Sequence, residues 1–266
     1  MAWTKAKTAL VAGVVVLLAA GTTVVTVKEV QAHTPYPWQR PQASFTAFYD
    51  APAGTHIVPT KFSQSSGCTD SSRGSLGIAQ PLQEIYGTAY QRGTLYTLVL
   101  GELPKDKYDY IAKLVGPRVP HKNMPQDENW TLELQKELAR KFGYKAGLET
   151  RDTDCLVMKP VATGTHGFKP SHSMPNGHAI EEKPGYESFH EQPTGTLVGI
   201  LQRNFHIPVV DQTDLTNAYD FTLQWDQSDP KNPNLDGLKQ ALRDQLGLNL
   251  VPSREPIEML VIDASK

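Results

Sequence analysis

LKQALRDQLGLNLVPSREPIEMLVID, Leu238 to Asp263, is the stretch that sets the expected fold. Leu238, Leu242 and Leu246 fall at i, i+4 and i+8, one stripe of a helix, because 3.6 residues per turn bring those positions to the same face. Gly247 follows where a helix needs a residue that takes a left-handed backbone without steric cost. Two short apolar runs come next, with Pro252, Ser253 and Pro256 between them, and they read as strands joined by a turn. Upstream, the turn-rich Asp226–Gly237 run places Asn234 as the N-cap.

The same pattern occurs three more times. Leu134, Leu138 and Phe142 form a stripe that stops at Gly143; Leu197, Leu201 and Phe205 form another; Leu82, Tyr86 and Tyr90 form the earliest. Each is followed by short strand-like runs. Two of the four share a Tyr-Asp-aromatic start, Tyr108 to Leu114 (YDYIAKL) and Tyr219 to Trp225 (YDFTLQW), while DCLVM from Asp154 aligns with EMLVI from Glu258 without gaps. The alternation predicts an α+β fold of four helix–β-hairpin modules in two similar halves. The plainer alternative is a binary pattern that any helix–hairpin shares.

A chain of 266 residues is long enough for one large or two modest domains. Its 26 basic and 28 acidic residues nearly cancel, which argues against a nucleic-acid partner. Thr8 to Val27 is uncharged, with Lys5 and Lys7 before it, and twenty helical residues reach the thickness of a bilayer core. That run predicts one N-terminal transmembrane helix at 8–27, behind a cytoplasmic N-terminus at 1–7. A tether at 28–44, a first α+β half at 45–160, a Gly/Pro/His-rich loop at 161–193 and a second half at 194–266 complete the chain. The expected location is the bacterial inner membrane, single-pass, with the C-terminal part on the periplasmic or extracytoplasmic side. The alternative is a cleaved signal peptide ending at Val30-Gln31-Ala32, and both readings export the rest.

Export puts Cys68 and Cys155 in an oxidising compartment, where they form a disulfide or stay as two thiols. His166, His172, His178 and His190 lie in the middle loop, but spacings of six, six and twelve fit no close-set zinc pattern. The Asp226–Gly237 run has oxygen ligands yet lacks the order of a calcium loop. Asp211 and Asp214 read either as an acid and base or as carboxylates bonding turn amides. Asp109 and Asp220 read as turn anchors at strand entries, and Trp130 and Trp225 as core or rim. Local signatures of hydrolases, zinc proteases and phosphate loops are missing. No catalytic, cofactor-binding or metal residue is assigned on this reading, and no cofactor is called for.

PVVDQTDLTNAYDFTLQW, ELPKDKYDYIAKL and the Leu238–Asp263 stretch resemble the Solibacter-type paralogous family of exported soil-bacterial proteins, which is built on a domain of unknown function. The likeness covers about residues 56–266, and the N-terminal KTALVAGVVVLLAAGTTVVTVKEVQ is similar to the membrane lead-in of its anchored members. The resemblance implies no activity, cofactor or catalytic residue. Some members are fused to sigma-factor or membrane-peptidase regions, which implies signalling across the envelope. The helix–hairpin pattern is also similar to the short N-terminal domains of secretins and TonB-dependent receptors, as fold analogy only.

The leading functional expectation is therefore a non-catalytic binding or interaction module. It is held to the membrane by its N-terminal helix, and its partner is an envelope protein or a cell-surface polymer met at an exposed sheet edge. The alternatives are an exported hydrolase with a site between the two halves, and an envelope sensor domain.

Overall fold

The computed structural model describes residues 36–115, 130–171, 179–227 and 234–265. In chain order the elements are α1 (Phe45–Asp50), β1 (Gly54–Pro59), β2 (Ser66–Asp70), β3 (Gly74–Pro81), α2 (Leu82–Tyr90) and a 3-10 turn (Thr94–Tyr96) that leads into β4 (Thr97–Gly101). Then come β5 (Lys107–Lys113), α3 (Trp130–Phe142), β6 (Lys145–Pro160), β7 (Lys169–Pro170), β8 (Ala179–Lys183) and β9 (Tyr186–Pro193). The chain ends with α4 (Thr194–Phe205), β10 (Val209–Asp211), β11 (Ala218–Gln224), α5 (Leu235–Leu246) and β12 (Leu248–Ala264). The class is mixed α+β. Three four-stranded sheets form: sheet I, β1-β5-β3-β2; sheet II, β10-β6-β12-β4; and sheet III, β7-β11-β9-β8.

The helices sit where their stripes place them. Leu134, Leu138, Leu197, Leu201, Leu242 and Leu246 are each 0% exposed. Asn234 accepts a hydrogen bond from the Gly237 amide at 2.9 Å, and Gly247 ends α5 at φ 66°. A Cβ on Gly247 would stand 2.4 Å from the Gly164 carbonyl, so close approach reinforces the need for glycine.

The expected four helix–hairpin modules do not form. Helices α3 and α5 each lead into one long strand, of 16 and 17 residues. Helices α2 and α4 each lead into two strands that join different sheets, β4 and β5 after α2, β10 and β11 after α4. The physical reason lies in the polar middles of β6 and β12. These two strands pair antiparallel along their whole length, from Lys145 opposite Asp263 to Pro160 opposite Leu248, so the segment read as a turn stays extended. Pro252 and Pro256 share one parity in that ladder. Their missing N–H groups can both face away from β6, where β4 does not reach, since it pairs only with 260–264.

The transmembrane expectation is also corrected. No helix among the described residues is long and apolar enough to cross a membrane, and the run at 8–27 lies outside the described residues. The single-pass inner-membrane placement and the membrane as partner therefore have no support in the structure.

Two stretches whose composition reads as loop, 63–77 and 161–193, contain strands. Residues 66–81, Ser- and Gly-rich, make the β2–β3 hairpin, whose turn is held by Asp70 accepting from the Ser72 amide at 3.0 Å. Gly74, at φ 144°, leaves no room for a side chain, because a Cβ would meet the Ala112 carbonyl at 1.8 Å. Within 161–193, β8 and β9 form a second hairpin across Pro184 and Gly185.

An order of elements does recur, with a unit different from the helix–hairpin. Hairpin, helix, short strand, Tyr-Asp strand, helix and long strand run β2-β3-α2-β4-β5-α3-β6, and again β8-β9-α4-β10-β11-α5-β12. Sheets I and III place these strands in matching order. In sheet II the short strands are exchanged: β4 pairs parallel with β12, and β10 pairs parallel with β6.

The described residues divide into two compact units, one containing the residues up to Ile85 with Pro104–Gly143, the other Tyr86–Leu103 with the residues from Tyr144 onward. The first contains sheet I. Its core gathers Trp38, Phe48, Leu76, Ile78 and Ile111, and the Lys113 Nζ closes α1 by donating to the Tyr49 carbonyl at 2.7 Å. The second contains sheets II and III, with α4 and α5 packed on Met158, Phe189, Phe221, Leu223 and Leu248. The opposite face of sheet II carries a smaller cluster of Cys155, Val157, Ile257 and Met259, against which Tyr96 and Val210 pack.

Candidate functional site

The Tyr-Asp pairs, read as strand-entry anchors, hold bulges in the neighbouring strands. Asp109 is fully buried; its Oδ1 accepts from the Ala79 amide at 2.8 Å and its Oδ2 from Gln39 Nε2 at 2.7 Å. Asp220 Oδ1 accepts from the Glu191 amide at 2.8 Å. Ala79 and Glu191 stand at φ 52° and 55°, and the ladder register shifts beside each. A left-handed residue other than glycine costs about 1–2 kcal/mol, and a hydrogen bond to a charged group, worth about 1.5–3 kcal/mol, offsets it. The device is architectural, and it recurs in both copies.

The other candidate groups are dispersed. Asp211 accepts from Thr194 Oγ1 at 2.6 Å and from the Thr213 amide at 2.9 Å, as a turn carboxylate does, while Asp214 stands at φ 59° in the same turn. Cys68 is half-buried, Cys155 is buried, and both are free thiols; burial raises the pKa of each. His166 Nε2 lies 2.9 Å from the Asp244 carbonyl and His190 Nδ1 lies 3.9 Å from Asp220, whereas His172 and His178 lie outside the described residues. Among the described residues no three His, Cys, Asp or Glu side chains converge as a metal site. Of the Asp226–Gly237 run, residues 228–233 lie outside the described residues. Trp130 is buried and its Nε1 donates to the Ser71 carbonyl at 3.2 Å; Trp225 is half-buried against the second unit's core.

A cleft of about 420 Å³ in the first unit is lined by Lys113, Glu133, Lys136, Glu137 and Arg140. Its charges are taken up by one another. Glu137 receives two hydrogen bonds from Arg140, both at 2.7 Å, and these hold its carboxyl below the usual range. Burial lowers the Lys113 pKa, and its ammonium is spent on carbonyls. This is a charge-paired face without a spare acid or base.

The second unit offers a different surface. Strand β4, TLVLG, is an edge of sheet II and pairs, among the described residues, only with β12. Leu98 and Leu100 are 37% and 39% exposed and share a sheet face, since they sit two apart on one strand. An exposed edge is a template for another strand, and proteins blunt it with charge, proline or brevity. The other edges do this. β1 ends in Pro59 and gives its Ile57 carbonyl to Lys141; β7 and β10 have two and three residues; β2 ends in Asp70; β8 carries the Glu181–Lys183 ion pair. β4 has no charge and no proline.

Beside its N-terminal end lies a groove of about 560 Å³ formed by Gly93 to Tyr96 and by Gly199, Gln202, Arg203 and His206 of the α4 C-terminal end. The Tyr96 hydroxyl donates to Gln202, fixing the wall, and burial raises the Tyr96 pKa. The lining holds a guanidinium and an imidazole and no carboxylate. A smaller hollow continues past Tyr96 to Ile257 and Glu258, where Arg92 pairs with Glu258. Sequence reading missed this surface, although the uncharged run Thr94 to Gly101, TLYTLVLG, was its signal.

A family model described as "Protein of unknown function (DUF3738)" matches residues 99–264. No curated protein and no solved structure matches the chain.

Proposed function

For this chain, which belongs to the DUF3738 family of proteins of unknown function, we propose a non-catalytic role as a binding module that takes up another protein along strand β4. The observation that supports this is the edge itself: five uncharged residues with Leu98 and Leu100 exposed, where the other edge strands among the described residues are short, polar or capped. Backbone pairing supplies affinity at such an edge, and alternate side chains supply selectivity. The narrower likeness to the Solibacter-type paralogous family stays part of this proposal and rests on the C-terminal 60 or so residues.

A photo-crosslinking residue placed at Leu98 or at Val210, the corresponding region of β10, tests the role in the native host. One defined adduct should form at position 98 and disappear when Leu100→Lys is added. The purified adduct partner should then slow amide exchange of residues 97–101 in the isolated protein. Equal adducts at both positions, or none at 98, would show that β4 is not the contact.

A further inference from the structure

We infer that the protein β4 accepts is a second copy of this chain, with β4 paired antiparallel to β4 about a two-fold axis through Val99. The inference rests on the reading of β4 as a binding edge and adds the identity of what binds there.

The strand itself carries the argument. Thr97-Leu98-Val99-Leu100-Gly101 has the same leucine-valine-leucine centre read in either direction. In a symmetric dimer every contact occurs twice, with the two residues exchanged, so a strand that meets its own copy must complement itself. A two-fold axis perpendicular to the sheet keeps each sheet face on its own side. Placed at Val99, it brings all five residues into register, with Thr97 opposite Gly101, Leu98 opposite Leu100 and Val99 opposite Val99. Directly opposed side chains stand about 4.5–5.5 Å apart at Cβ. Each exposed leucine of one copy therefore covers an exposed leucine of the other, while half-buried Val99 meets itself on the opposite face. An unrelated guest strand requires no such symmetry.

The ends and the charge of the strand agree with this. The 3-10 turn Thr94–Tyr96 precedes Thr97, and Gly101, at φ 90°, ends the extended run where a Cβ would meet the Ala264 carbonyl at 2.9 Å. A five-residue guest fits between these ends, and β4 is such a strand. Like charges placed opposite each other are how edges reject their own copies, and β4 carries none. The joined sheet runs β10-β6-β12-β4 and on through the same strands of the second copy in reverse. Five residues from each copy fall below the about 20–30 a side of a standard interface, so the dimer is weak and concentration-dependent.

Sedimentation velocity of the full chain between about 1 and 300 µM tests this, and should show a reversible monomer–dimer equilibrium. Leu98→Lys/Leu100→Lys sets like charges opposite each other across the axis and should leave a monomer throughout. Leu98→Lys/Leu100→Glu sets opposite charges there, and should dimerise about tenfold or more tightly than the double lysine variant. All variants carry the same residues 8–27, so association through that apolar run would not distinguish them. Circular dichroism checks that each is folded. Under mild oxidation Val99→Cys should form an inter-chain disulfide, and Leu98→Cys and the unsubstituted chain, with its free Cys68 and Cys155, should not. A chain that stays monomeric, a dimer that survives Leu98→Lys/Leu100→Lys, or two double variants that behave alike would overturn the pairing about Val99. Crosslinking at position 98 in the host then separates the two readings: an adduct of twice the chain's mass supports the second copy, an adduct of another mass overturns it and keeps β4 as a binding edge, and no adduct overturns both.

Discussion

Strands β4 and β10 hold corresponding places in the recurring order and opposite edges of the same sheet, yet they present those edges differently. β10 has three residues, with Val209 4% exposed, and Asp211 at once accepts from Thr194 and Thr213, which draws the chain out of the sheet. β4 runs for five residues with Leu98 and Leu100 exposed. Where two copies of an order keep the same device, the fold accounts for it. The Asp109 and Asp220 bulges are of that kind. Where the copies part, folding does not require the feature, and exposing two leucines on an unblunted edge works against solubility. The difference singles out β4 without any sequence motif.

The largest expected effects are those in which the copies should agree. Leu138 on α3 and Leu242 on α5 correspond and are both 0% exposed, so Leu138→Ala and Leu242→Ala should each destabilise by about 2–5 kcal/mol in urea denaturation. Leu201→Ala on α4 belongs to the same range. A loss below about 0.5 kcal/mol at two of the three would mean that these helices do not carry the core, and the correspondence would lose its footing.

The bulge anchors should agree in kind and differ in size. Asp109→Ala leaves the buried Ala79 amide and the Gln39 side chain unpaired, which should cost about 2–3 kcal/mol. Asp220 is 43% exposed on its side chain, so water can replace it at the Glu191 amide and Asp220→Ala should cost about 1 kcal/mol or less. Equal losses in chemical denaturation would show that exposure does not separate the two sites.

Helix positions and caps are legible in the sequence because each rests on local geometry: a 3.6-residue stripe, Asn234 bonding the third amide ahead, Gly143 and Gly247 with positive φ. The chain's path after each helix is not legible, because it depends on partners far along the sequence. Turn and strand are alike in composition at Pro252 to Pro256, where only the opposing strand, with Leu156 and Asp152 across from the two prolines, keeps the chain extended. The β2–β3 hairpin escapes for the same reason: Ser66 to Asp70 has a loop composition and becomes a strand by pairing with Gly74 to Ile78. Composition also suggests a structureless 161–193, although Pro184-Gly185 between two runs with strand potential marks a hairpin. The edge at β4 is readable in part. Thr97 to Gly101 lacks any charge, but only the sheet order shows that this run lies outside rather than in the middle.

The smallest expected stability change is the one that sharpens the comparison most. Val210 is partly buried and packs against Cys155, Val157, Ile257 and Met259, so Val210→Lys should destabilise by about 1–2 kcal/mol. Leu98 lies on an edge strand and is 37% exposed, so Leu98→Lys should change stability by less than about 0.5 kcal/mol. The charge it adds is the device by which natural edges avoid pairing, which makes it a change the fold tolerates and a guest strand does not. Thermal and urea denaturation of the two variants, measured beside protection of residues 97–101 from amide exchange by the crosslinked partner, separates the roles: Val210→Lys should lose stability and retain the protection, and Leu98→Lys should do the reverse. If Leu98→Lys instead unfolds the protein, the leucine belongs to the core, and the difference between the two edges would be one of packing rather than of binding.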